Sequence, residues 1–106
     1  MATHGNSNDN EAEHHLYEIK DREYKDVYKY GICGAPLTTE GGSPRGKRQA
    51  KELNRAVRWL RFFSKVILTG IQGRLAAKEI ETEYIENYRK EHGFPPPGND
   101  SEEENY

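Results

Sequence analysis

Glu81 lies in the stretch AAKEIETEYIENY, residues 76–88, where apolar side chains recur at helical spacing. On a helix turning about 100° per residue, Ala77, Ile80, Tyr84, Ile85 and Tyr88 share one arc. Glu81 falls inside that arc, whereas Glu79, Glu83 and Glu86 fall outside it. A carboxylate among core-facing residues is costly unless a cation, a metal or a hydrogen-bond network meets it. Two chemistries satisfy the need. One is a salt bridge to an arginine of the preceding helix, at the edge of the core. The other is a divalent metal, since Mg²⁺ takes oxygen ligands and often binds one or two carboxylates with water and substrate phosphate completing its shell.

Further residues carry charge or hydrogen-bonding chemistry. Between Pro44 and Lys65 lie Arg45, Lys47, Arg48, Lys51, Arg55, Arg58, Arg61 and Lys65, against one acid, Glu52. A solvated basic face reads this way, and so does a phosphate-binding one, because a guanidinium can hold two phosphate oxygens. In YKYGI, residues 28–32, Lys29 faces away from Tyr28 and Tyr30, so it is either the solvent side of a half-buried strand or the wall of a site. Strand tyrosines such as Tyr17 and Tyr30 are by default half-buried aromatics, and a single Asn99 is by default a turn residue. Cys33 is the one cysteine and cannot form an internal disulfide. His4, His14, His15 and His92 are scattered and give no metal-ligand cluster with it.

The 106 residues suffice for one small domain, yet only 33% are hydrophobic and 32% are charged. The ends account for this. Residues 1–13 and 100–106 are polar or acidic and are expected to be disordered. The ends hold seven acids and no Lys or Arg. The body, 14–99, has sixteen basic and eleven acidic side chains, a charge of +5 hidden beneath the overall −2. A basic body suits a polyanionic partner. No apolar run is long enough to span a membrane, and no signal peptide is expected.

The elements that position these residues follow from periodicity. HLYEI, 15–19, and Val27 to Cys33 alternate and form a predicted hairpin across the charged segment 20–26. Residues 34–44, rich in Gly, Pro and Thr, form a loop. Ser43-Pro44 suits an N-cap and first helical position, and Ala50, Leu53, Val57 and Leu60 make one apolar stripe on the basic helix, 44–60. FFSKVILT, 62–69, is a third strand, 70–73 a turn, and Arg74 to roughly Lys90 a second helix stopped by Gly93. The prolines of 95–97 lead an extended chain to Asn99. The order β-β-α-β-α defines an α+β class with a small three-stranded antiparallel sheet flanked by helices.

In this order the residues resemble the GIY-YIG nuclease superfamily. His15-Leu16-Tyr17 looks like its first tyrosine motif, and Lys29-Tyr30-Gly31 occupies the second. The stretch 76–88 is similar to its glutamate helix, and PPPGN to its terminal Pro/Asn element. The resemblance covers roughly 15–99. KYGI, GGSPR and GRLAA, in that order, resemble most closely a branch found as C-terminal domains of bacterial polymorphic toxins.

That resemblance implies a metal-dependent endonuclease acting on nucleic acid, DNA rather than RNA, as the toxin domain of an effector. Such a domain is delivered into the cytoplasm of a competing bacterium, and its producer carries an immunity protein. Residue by residue, it implies that Glu81 holds Mg²⁺ or another divalent cation and that Tyr17 helps remove a proton from water. It implies further that Arg45 or Arg48 braces the phosphate and that Asn99 orients the site. Lys29 stands where the family usually has tyrosine, so it lowers a tyrosine pKa or contacts phosphate. Lys47, Lys51, Arg55, Arg58 and Arg74 are the expected nucleic-acid contacts. The alternative is a non-catalytic nucleic-acid-binding or partner-binding module built on the basic helix.

Overall fold

Strict alternation places β1, Glu13–Asp21, in the middle of a three-stranded antiparallel sheet, with β2, Asp26–Cys33, on one side and β3, Phe62–Gln72, on the other. The computed structural model describes residues 11–103. Helix α1, Pro44–Val57, connects β2 to β3; α2, Arg74–His92, follows β3; and a short α3, Pro97–Glu103, ends the described chain. The α+β class and the order β-β-α-β-α are as expected.

Because successive side chains of a strand point to opposite faces, β1 serves two cores. Tyr17 and Ile19 pack with Cys33 and Phe62 under Ala50 and Leu53 of α1. Leu16, with Ile32 and Ile71, packs under Ala77 and Ile80 of α2. The helices therefore cover opposite faces of the sheet, and the site residues are divided between two layers.

Several boundaries differ from the sequence expectation. The chain does not turn at 70–73. β3 runs on to Gln72, with Leu68 opposite Leu16 and Ile71 opposite His14, so the strand carries a bulge at Thr69-Gly70. Gly70 sits there at φ +72, a conformation glycine adopts without strain. α1 ends at Val57 rather than reaching Leu60, which is 77% exposed. Asn54 explains the stop. Its carbonyl accepts from the Arg58 N–H at 2.7 Å, and its side chain pairs with both N–H and C=O of Phe62, at 2.7 and 2.9 Å, which draws the chain straight into β3.

Beyond Gly93, which caps α2 at φ +84, the expected extended approach to Asn99 is replaced by the turn of α3. Of the ends expected to be disordered, 1–10 and 104–106 lie outside the described residues. Glu13 opens β1, and 100–103 belong to α3. The connection between β1 and β2 is held by the buried Asp21, whose two oxygens each accept from Arg61 at 2.8 Å while one accepts from the Glu23 N–H at 2.9 Å. That pairing holds the Asp21 carboxyl below its ordinary range.

Candidate active site

The site is organised around the outer edge of β2. A bulge in the β1–β2 ladder sets Ile19 opposite Lys29 and Lys20 opposite Val27, leaving Tyr28 as the extra residue. Tyr28 and Tyr30, expected on one face, are thereby separated. Tyr28 packs edge-on against Phe62 at 4.9 Å in the α1 layer, and Tyr30 against Tyr84 of α2 at 5.4 Å. Lys29, paired with Ile19, faces α1 and lines a cleft of about 330 Å³ with Ile19, Tyr28, Gln49, Leu53 and Gly98. It is the wall of a concavity rather than a plain solvent-facing residue.

Tyr17, 1% exposed, lies on the same face, and its hydroxyl donates to Gln49 Oε1 at 2.7 Å. Its position depends on Gly31, directly across the ladder, where a Cβ would overlap the tyrosine's ring carbon and hydroxyl. Ser43 caps α1 as its sequence context indicates, accepting from the Gly46 N–H at 3.1 Å. The same Oγ lies 2.7 Å from His15 Nε2. Burial first, then the nearby His14 and Arg45, lower the His15 pKa, so the imidazole is held neutral. One helical residue past Pro44, Arg45 Nη1 donates to the Ile32 carbonyl at 3.0 Å.

Asn99 completes this edge. Its side chain donates to the Tyr30 carbonyl and accepts from the Tyr30 N–H, both at 2.9 Å, pairing with the strand as a neighbouring strand would. The approach requires Gly98, where a Cβ would crowd Tyr28 and the Lys29 Cβ, the latter at 2.8 Å. Tyr30 thus meets Asn99 through its backbone. Its phenol is pushed up chiefly by burial and then by the Glu18 carboxylate.

Glu81 enters from the other layer. It is 5% exposed, on the face of α2 that carries the buried Ala77 and Tyr88, while Glu79, Glu83 and Glu86 are exposed. Lys78 Nζ stands 3.2 Å from its Oε1. One ion pair of Glu81 is thus made within α2, by a lysine.

The fold brings Tyr17, Lys29 and Arg45 to the α1 side of β2, sets Asn99 on its edge, and leaves the other cations elsewhere. Arg48, Lys47, Lys51, Arg55 and Arg58 are exposed along α1. Arg74 opens α2 in the opposite layer, so it does not extend that basic surface. Sequence alone does not single out His15, Ser43 and Gln49 as site residues. Their signals were weak: His15 stands two before Tyr17, Ser43 was visible only as a cap, and Gln49 lies one helical turn after Arg45.

Among the described residues, no group of three or more His, Cys, Asp or Glu could hold a metal ion. A lone carboxylate can serve only a hard cation that fills the rest of its shell with water and phosphate, and the structure places the cation of Lys78 on Glu81. No helix among the described residues is long and apolar enough to cross a membrane.

The three-stranded antiparallel sheet in the order β-β-α-β-α is an α+β fold, and the family match identifies it as a GIY-YIG, or URI, nuclease fold. The chain belongs to the Tox-URI2 family, URI fold toxin 2, whose model matches residues 7–93. It is a URI-fold toxin domain, and that family implies nuclease activity. The match stops short of Asn99. No curated protein and no solved structure matches the chain.

Proposed function

We propose that this domain is a metal-dependent endonuclease that hydrolyses phosphodiester bonds of nucleic acid, DNA rather than RNA. It acts as the toxin part of an effector delivered into the cytoplasm of a target bacterium and is held inactive in its producer by a cognate immunity protein. The observation that carries the reading is the assembly at β2. Tyr17, Lys29 and Arg45 lie on one side of an edge strand, Asn99 locks that edge, and a buried carboxylate stands on the helix behind it, all in a chain of a toxin family.

Each residue has a part in the chemistry. The Tyr17 hydroxyl, oriented by Gln49 Oε1, helps remove a proton from the attacking water. Lys29, in the wall of the adjoining cleft, supplies positive charge beside the phosphate. Arg45, oriented by the Ile32 carbonyl, braces the phosphate with the rest of its guanidinium fork. His15 and Ser43 position Arg45 by fixing the first turn of α1. Glu81 would hold a divalent cation, which when bound neutralises charge on the leaving oxygen. Asn99 keeps β2 in register with these groups.

The test is Glu81→Ala, assayed on plasmid DNA and on RNA with Mg²⁺ and with chelator. Cleavage by the parent protein only with metal, and none by the variant while its circular dichroism and melting are retained, is the expected result. Full activity in the variant would sink the Glu81 assignment. Binding without cleavage by the parent would favour the non-catalytic module on α1.

A further inference from the structure

Trp59 is the only tryptophan of the chain, and it is 47% exposed. It sits in the short connection from α1 to β3, directly after Arg58 and before the exposed Leu60. An open groove of about 360 Å³ is lined by Trp59 and Leu60 with Lys51, Asn54, Arg55 and Arg58. Every charge on that lining is positive. Among the described residues no other ring packs on the indole and no guanidinium lies over it. The two arginines of the neighbourhood that do cover rings, Arg22 and Arg61, cover Phe63, Tyr24 and Phe62.

The local backbone holds this arrangement at a cost. Arg58 ends α1 in the left-handed conformation, φ 67 and ψ 28, a place where glycine is unstrained and arginine is not. Arg48, Lys51 and Arg55 recur at spacings of three and four, so they form one stripe on the exposed side of α1, and the exposed Arg58 follows at its end. From Arg45 to Val57 the helix rises about 18 Å, the span of roughly five stacked nucleotides. Phosphates following the stripe would deliver bases to the indole. Exposed aromatic rings flanked by cations hold unpaired bases by stacking, without regard to sequence.

We infer that the Trp59 groove is a stacking platform for an unpaired base of a single-stranded polynucleotide, with Lys51, Arg55 and Arg58 on the adjoining phosphates. A duplex keeps its base faces within its own stack and offers this site only its ends or a displaced base. The inference rests on the nucleic-acid reading of the domain but not on catalysis or on Glu81.

Because Trp59 is the sole tryptophan, it reports on itself. The full chain is titrated in chelator with end-labelled strands of equal length: single-stranded DNA, RNA of the same sequence, and an abasic DNA strand with the same phosphates. Label anisotropy reads binding, and indole emission reads stacking. The expected result is quenching by a base-bearing strand and none by the abasic strand, which binds on the order of tenfold more weakly. Quenching by the DNA or the RNA arm identifies the preferred source of the base. Trp59→Ala should weaken the base-bearing strand on the order of tenfold and leave the abasic one unchanged, while Trp59→Phe restores most of the affinity.

Binding without quenching, equal affinity for the abasic strand, or no binding of any strand would overturn the inference. Cleavage with Mg²⁺ is scored separately. Quenching without cleavage leaves the platform standing and removes the nuclease; cleavage without quenching does the reverse.

Discussion

Tyr17 and Gly31 are one unit at the scale of single residues. The tyrosine is fully enclosed, and the space its ring occupies is the space a side chain at position 31 would need. Gly31→Ala should therefore displace the phenol from Gln49. The expected outcome is a loss of about 1–3 kcal/mol in urea unfolding, as for other overpacked cores, together with a fall in nuclease turnover larger than that loss explains. His15 provides the pH dependence. Its folded pKa lies below the ordinary 6.5, so the unfolded chain takes up the proton first as pH falls. Its contribution is full above that value and is lost as pH drops through it toward the lower folded pKa. Urea midpoints measured on both sides of that window should fall on the acid side in the parent and be flatter in His15→Gln.

Between elements, two asparagines do similar work. Asn54 binds both backbone groups of Phe62 at the start of β3, and Asn99 binds both backbone groups of Tyr30 in β2. Each ties a helix to a strand and satisfies backbone polar groups that have no strand partner there. Asn99→Ala removes two hydrogen bonds from a buried position, and its cost should be about 1–3 kcal/mol. Hydrogen exchange is the sharper measurement. The Tyr30 amide should lose protection while amides between β1 and β3 keep theirs; unchanged exchange at Tyr30 would show that α3 contributes nothing to the strand. The Arg61–Asp21 pair likewise joins the β1–β2 connection to the start of β3, so the hairpin end of the sheet is also pinned.

At the scale of the molecule, the distribution of charge matters more than its total. The +5 of residues 14–99 is masked in the overall −2 by acids in the two ends. Along α1 the exposed cations form a stripe, and a polyanion neutralised by four of them releases counterions in proportion. The logarithm of affinity for a single strand should fall against the logarithm of salt with a slope of about −3, and Arg55→Gln should reduce that slope by about 0.7. A salt-independent affinity would show that the stripe is a solvated surface only.

The sequence alone determined the α+β class and the order of the main elements, and it pointed to the family. Local rules sufficed where the signal was periodic or chemical. Alternation made the strands, Ser43-Pro44 the helix start and Gly93 the helix stop, and the arc of α2 picked Glu81 from its neighbours as the buried carboxylate. The motifs of the chain pointed to the toxin family that it belongs to. Tertiary structure decided the rest, because it depended on pairing between distant segments. The bulge at Tyr28 exists only in the ladder with β1, and it alone moves Tyr28 into the layer that Lys29 faces and away from Tyr30. The stop of α1 at Val57 was set by Asn54 reaching Phe62, not by any helix breaker. Gly98 and Asn99 look like turn residues until β2 is placed beside them. The exposed Trp59 stood outside every periodic pattern, and only the folded connection from α1 to β3 gathers cations around it, since periodicity records which face a residue takes but not what stands opposite.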